Sequence, residues 1–402
     1  MKLVYFTTVY PAYLQQLYAR HPGLEHRGWA EQHDAIDRDV FGWIGVWPRA
    51  LAPLGYEVLE VPLNASALQR AWMAGRPGTD HAGLEEIALA QVRAFAPDVL
   101  WYDHDDEGLL ARLRAAAPSI RLVLGWTGSW VPEGRSWKGT DLVLSCAPES
   151  VEALRRRGVR AEPLHHGFDE RVLPALEERP PRYDVTFIGQ ITLGHPLHVH
   201  RERLLEALRR EVDVTLFSPS GQGGRWEWPR ARARQAVYAG VQALRKVGMP
   251  ATVLRGIPVL RHALTWPTAP RGPLPAGLRR ALRPARFGLE MYQTLRDSRI
   301  TLNVESGSTT RHSSNMRLFE ATGVGTCLLT DRTEGLSELF EAEREVVTFG
   351  DSQECVERIR WLLAHPQERE AIARAGQART LREHTWALRA RRLDALVREV
   401  AG

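Results

Sequence analysis

The chain has 402 residues, 44% of them hydrophobic and 25% charged, which is enough for two sizeable cores and ordinary for a soluble globular protein. Three cysteines without a CxxC pair argue against a disulfide framework or a zinc site, and no stretch approaches the roughly 20 apolar residues of a membrane span. The net charge of +5, carried mostly by arginine, suits polyphosphates, anionic membrane surfaces or nucleic acid without choosing among them.

The opening MKLVYFTTVY reads as a first strand and not as a signal peptide, which with the free cysteines fits a cytoplasmic protein. Strand and helix then alternate. Strands are predicted at Lys2–Thr7, Tyr56–Val61, Asp98–Tyr102, Arg121–Trp126, Leu142–Ser145 and Ala161–Leu164, with helices at 83–95, 109–117 and 149–157. The polar segment Gly23–Asp39, with scattered aromatics, reads as a mobile loop or a helical excursion. This alternation predicts a parallel, doubly wound α/β sheet whose ligands sit beyond the carboxyl ends of the strands.

Those ends can be read directly. Thr7, Thr8 and Tyr10 follow the first strand, and Asp103, His104, Asp105, Asp106 and Glu107 follow the third. Asp103 and His104 are the best catalytic candidates, as a base or as a hydrogen-bond partner of a hydroxyl. The plainer reading is helix capping by Asp105 or Asp106. The spacing of these carboxylates is not diagnostic of a metal.

Residues 1–173 form this first domain, and the Pro- and Glu-rich 174–183 is the linker. A second α/β series fills 184–379. Its first strand, Val185–Ile188, stops at Gly189 and Gln190, where a ligand can approach the backbone. His195, His198 and His200 lack ordered metal-ligand spacing. Residues 218–287 break the pattern with many Arg and Pro residues and read as an insertion with helix over 232–247. Basic residues interleaved with aromatics allow docking on a membrane or nucleic acid, or simply solvated arginines on a packed excursion. A final amphipathic helix is predicted over 380–400.

Within the second series, Asn315–Asp331 predicts a short helix, a glycine stop at Gly323 and Gly325, and a buried strand. Ser313, Ser314 and Asn315 are available as caps. Arg317 sits in the first helical turn, where it opposes the helix dipole unless an anion binds there. Glu320 lies three residues later on the same face. The two residues make either an ordinary surface pair or a site for a phosphate and the hydroxyls beside it.

The stretches GLEMYQTLRDSRITLNVE, SNMRLFEATGVGTCLLTD, GLSELFE and AHPQEREAIARAGQARTLREHTW resemble the second domain of GT-B glycosyltransferases. They are most similar to the CgeB-like group with its glycosyl-transferase-group-1-type domain. DVTFIGQ and PLHHGFD fit the same pattern, while the first half matches only in plan. The resemblance implies two Rossmann-like domains around a cleft, with residues 380–402 crossing back to the acceptor-side first domain. It implies metal-independent transfer of a sugar from a nucleotide-diphosphate sugar to an acceptor that is a glycan, lipid, protein or small molecule. By position, Glu320 holds the donor ribose, Gly189 and Gln190 face the phosphates, Asn315 and Arg317 flank the pyrophosphate, and Asp103 with His104 lies near the transferred sugar. Arg201, Arg203 or Arg311 stands in for the usual diphosphate lysine. The paired-glutamate motif is broken, since its earlier position is His312. Peripheral contact with the inner membrane face is compatible with the charge; nucleic acid fits less well. A non-catalytic binding protein on the same scaffold is the competing reading.

Overall fold

The computed structural model describes residues 1–74, 76, 83–128, 131, 134–191, 199–221, 227–247, 249–250, 254, 260, 264, 276–305 and 311–401. His195, His198, Trp226 and Trp266 lie outside them. The described strands form two six-stranded parallel sheets. The first runs β2(Glu57–Pro62), β1(Lys2–Thr7), β3(Val99–Tyr102), β4(Leu122–Thr127), β5(Leu142–Ser145), β6(Ala161–Pro163). The second runs β12(Val347–Phe349), β11(Cys327–Asp331), β10(Ser298–Asn303), β7(Tyr183–Ile188), β8(Thr215–Phe217), β9(Leu282–Arg283).

The period-2 alternation of side chains loads both faces of each sheet, as parallel sheets require. In the first sheet Leu3, Tyr5, Trp101 and Leu124 point to one core, and Val4, Phe6, Leu100 and Val123 to the other. The helices Leu84–Phe95 and Glu107–Ala116 cover the second of these faces. The helices Val46–Leu51 and Trp386–Ala401 cover the first.

Several local expectations are resolved or corrected. Gly23–Asp39 is a helical excursion, with a full helix over Trp29–Arg38. The predicted single helix over 380–400 is two. The helix Pro366–Glu383 ends at His384, and a new one starts at Trp386. The break lets Phe168 bridge in: its N–H donates to the His384 carbonyl (2.7 Å), and its own carbonyl accepts from Trp386 N–H (3.2 Å). The linker is tied down, because Arg179 grips the buried Asp297 carboxylate at 2.6 Å. Within 218–287 the helix is Glu227–Lys246, and Leu282–Arg283 adds a strand to the second sheet. Among the described residues no helix is long and apolar enough to cross a membrane.

Candidate functional site

Strand order locates the site. In the first sheet β1 lies between β2 and β3, so the order in which strands are added reverses beside its carboxyl end. In the second sheet β7 lies between β8 and β10, giving the same reversal. Loops diverge at such switch points and leave a crevice. Both crevices open into one cavity of about 470 Å³. Thr7, Thr8 and Asp103 line it from the first lobe, and Gly189, Gln190, Asn303, Val304 and Asn315 from the second.

Arg201 joins the two second-lobe loops. Its guanidinium donates to the carbonyls of Gln190 (2.8 Å) and Val304 (2.5 Å). Burial lowers its pKa, while Glu305 and Asp331 hold the charge in place. Of the three arginines considered for the diphosphate, only Arg201 lines the cavity. Arg311 is drawn to the first lobe instead, pairing with Glu152 at 3.1 Å while its backbone N–H meets Glu149. His312 also turns to Glu149, its Nδ1 3.0 Å from the carboxylate, and stands outside the cavity lining.

The short helix is Arg317–Gly323, and both Arg317 and Glu320 line the cavity. They form an i,i+3 ion pair at 2.7 Å that is largely shielded from water. Arg317 Nη1 also lies 2.9 Å from Met291 Sδ, and burial, then the charge of Glu320, holds the Tyr292 hydroxyl well above the usual range. The capping expectation is corrected: no side chain caps this helix. Asn315 Nδ2 instead donates to Asn303 Oδ1 (3.0 Å) and the Val304 carbonyl (3.1 Å), fastening the loop to the end of β10. Ser313 Oγ pairs with Thr333 Oγ1 at 2.7 Å, and the Ser314 and Asn315 N–H groups point at the buried Glu305 carboxylate. Gly323 serves packing more than termination, since a Cβ there would sit 2.3 Å from the Phe168 ring. The turn itself is made at Gly325, with φ of 82°.

Across the cavity stands Asp103. Burial pushes its carboxyl up to about 7, with Arg135 opposing and Asp105 assisting. His104 follows it but does not line the cavity; burial depresses its imidazole, and its Nε2 has no hydrogen-bond partner among the described residues. The neighbouring acids have structural work. Asp105 pairs with Arg135 at 2.5 Å, and Asp106 caps the next helix through Leu109 N–H at 2.9 Å.

Sequence reasoning missed a set of rings. Phe41 and Trp43 flank Gly42 in the cavity wall, with Tyr5, Trp126, His166, Arg286 and Phe287 also in the lining and Phe287 edge-on to Phe41 at 5.7 Å. The aromatic pair around a glycine in Phe41-Gly42-Trp43 is the one local signal that marked it, and in the structure that glycine has φ of 63°.

Residues 200–395 match the family model described as glycosyl transferase-like. No curated protein matches the chain. Among solved structures, HepE of Anabaena in complex with UDP-glucose is 14% identical, with a TM-score of 0.53 over 99% of this chain and 100% of that one. A glycosyltransferase of Rickettsia africae is 9% identical, with a TM-score of 0.54 over 99% and 98%. An α-glucosyltransferase in complex with UDP-glucose and abasic DNA is 10% identical, with a TM-score of 0.57 over 99% of both chains. At such identities the likeness speaks for the fold, and the fold is GT-B: two Rossmann-like lobes around a cleft. Within that class the second lobe carries the glycosyl transferase-like, group-1-type match. The comparisons do not reach the narrower CgeB-like grouping.

Proposed function

We propose that the protein transfers a sugar from a nucleoside-diphosphate sugar to a hydroxyl acceptor within the cleft. One observation carries this reading: the switch points of both sheets face each other across a single cavity, with Asp103 on one wall and Arg201, Arg317 and Glu320 on the other. The acceptor oxygen attacks the anomeric carbon and passes its proton to the Asp103 carboxylate. The bond from that carbon to the phosphate oxygen breaks, and its electron pair leaves with the diphosphate. Arg201 and Arg317 stabilise the departing charge, which is why the reading needs no metal. Glu320 accepts hydrogen bonds from the donor ribose, and Gly189 and Gln190 lie against the phosphates. Neighbours solved with UDP and UDP-glucose support a uridine donor first among those to try.

The test is thermal shift against UDP, GDP, dTDP and ADP sugars, followed by turnover with and without EDTA. A nucleotide sugar that raises the melting point, with turnover insensitive to EDTA, supports the reading. A melting point unmoved by all four, or Asp103→Ala and Glu320→Ala variants with unchanged transfer rates, would refute it in favour of a binding role or another ligand.

Peripheral docking on an anionic membrane is a separate reading with its own support. Residues 218–287 hold thirteen Lys and Arg against one acid, Glu227, while the other 332 residues hold forty against forty-seven. Arg230, Arg232, Arg234, Arg245 and Lys246 are exposed on the Glu227–Lys246 helix and have no ion pair among the described residues. Co-sedimentation with phosphatidylglycerol vesicles that disappears in Arg230→Glu/Arg234→Glu supports it. No binding to such vesicles at ~0.1 M salt refutes it.

A further inference from the structure

The two walls of the cleft differ in kind. All three arginines that line it, Arg201, Arg286 and Arg317, belong to the second lobe. Among the described residues the first lobe contributes no Lys or Arg to the lining. Its one imidazole there, His166, is held neutral, since burial, then His165 and Arg389, push its pKa down to about 3. Its one carboxyl is Asp103. What this wall offers instead is rings.

The rings are fixed before any ligand arrives. Trp43 is wedged edge-on against Trp126 (4.7 Å between centroids) and His166 (5.4 Å) and stacks on Tyr5 (6.1 Å). Phe41 stacks flat on Tyr13 at 3.7 Å with the planes 6° apart. Tyr10 stands 63% exposed at the cavity edge, held by Phe41 and Phe287. Between Phe41 and Trp43, a Cβ on Gly42 would meet nothing within 4 Å, so bare backbone leaves room for a ligand between two rings. Aromatic faces gain by covering flat apolar surface, and rings already locked lose little freedom in doing so. An anion brought to the same wall would lose its water, find no first-lobe cation there among the described residues and face Asp103.

We propose that this wall is a subsite for a neutral acceptor that carries a flat apolar face, an aryl ring or the C–H face of a sugar, beside the hydroxyl to be glycosylated, and that it rejects acceptors with an anionic group at that place. The inference rests on the proposed transfer reaction and narrows its second substrate. The two walls thereby divide the labour: anion binding belongs to the second lobe, and ring recognition to the first.

The experiment is saturation-transfer NMR on the full chain with UDP bound, using phenyl β-D-glucopyranoside, methyl β-D-glucopyranoside, phenol and phenyl phosphate. Phenyl glucoside is expected to receive saturation and phenyl phosphate none. Methyl glucoside binding without phenol assigns the sugar face as the recognised one, and the converse assigns the aryl ring. Phe41→Ala should weaken phenyl glucoside by about tenfold while UDP affinity holds. Should Phe41→Ala fail to fold, Thr8→Arg serves: placing a cation on the exposed rim should make phenyl phosphate bind. Phenyl phosphate binding the native protein as well as phenyl glucoside would overturn the proposal. So would silence from every neutral probe while UDP binds, which leaves the donor site standing. Failure of UDP itself would remove the transfer reading and this inference with it.

Discussion

Asp103 is where the residue scale matters most. Its carboxyl is held near 7, so as a base it is half in the working form at neutral pH. A group with a raised acid pKa is ionised only above that value, so kcat/KM should climb about tenfold per unit up to pH 7 and level off above it. Asp103→Asn should lower the rate by about 10²–10⁴-fold and flatten that limb; a limb unchanged in the variant would assign it to another group. Glu320→Ala strands Arg317 in a shielded position without its 2.7 Å partner. Losing one member of such a pair costs about 3–5 kcal/mol, so a melting-point drop should accompany lost donor binding. Glu320→Gln keeps the volume and should lose affinity with a smaller drop. For Arg201→Ala, UDP binding by calorimetry should weaken at least about tenfold, because the same guanidinium also orders the Gln190 and Val304 loops.

At the scale of elements, the strands were legible because apolar runs of four to six residues bounded by Gly, Pro and Asp have few other readings. Asp103 and Gly189 were legible as site candidates because each follows such a strand, Asn315 and Arg317 because they open a helix, and Glu320 because it lies three residues after Arg317 on the same face. Two kinds of feature were not. Leu282–Arg283 is a two-residue strand, too short for any periodicity, and its place is decided by the neighbouring β8. Arg311 went to the first lobe because Glu149 and Glu152 wait there, and a partner 159 residues away leaves no trace in local sequence. That same contact bridges the lobes. Glu149→Gln removes the charge that faces His312 and should leave catalytic chemistry intact while raising KM for donor. A KM that stays put would limit Glu149 to a structural role. At another interlobe contact, Gly288 has φ of 56°, and a Cβ would lie 2.5 Å from the Asp39 carboxyl carbon. Gly288→Ala should therefore lower the melting point by several degrees, combining the left-handed backbone penalty with the clash.

For the whole molecule, the described chain crosses between lobes at Phe168, ahead of the predicted linker, and again after His384, and the crossings lie side by side at Phe168 and Thr385. The returning helix is no appendage. Trp386, Ala390, Leu393 and Val397 are buried in one core with Trp47, Leu51 and Leu144, and Tyr56 reaches Asp394 at 2.8 Å. His384 ties this crossing to the cleft. Its Nε2 lies 2.8 Å from the Leu339 carbonyl, and its Nδ1 accepts from Arg389, which also donates to the His166 carbonyl. Removing residues 386–402 should expose the Trp47 cluster, visible as dye binding and loss of cooperative melting.

That returning helix also governs how the protein is made. Trp47 is sealed by a helix that begins 339 residues later in the chain. While the ribosome is still extending the polypeptide, the lobe synthesised first waits with one side of its sheet uncovered, and the lobe synthesised second can be finished before it. Of the two lobes, the one made first is therefore the later to be closed, and a nascent protein stalled near residue 380 would be a substrate for chaperones.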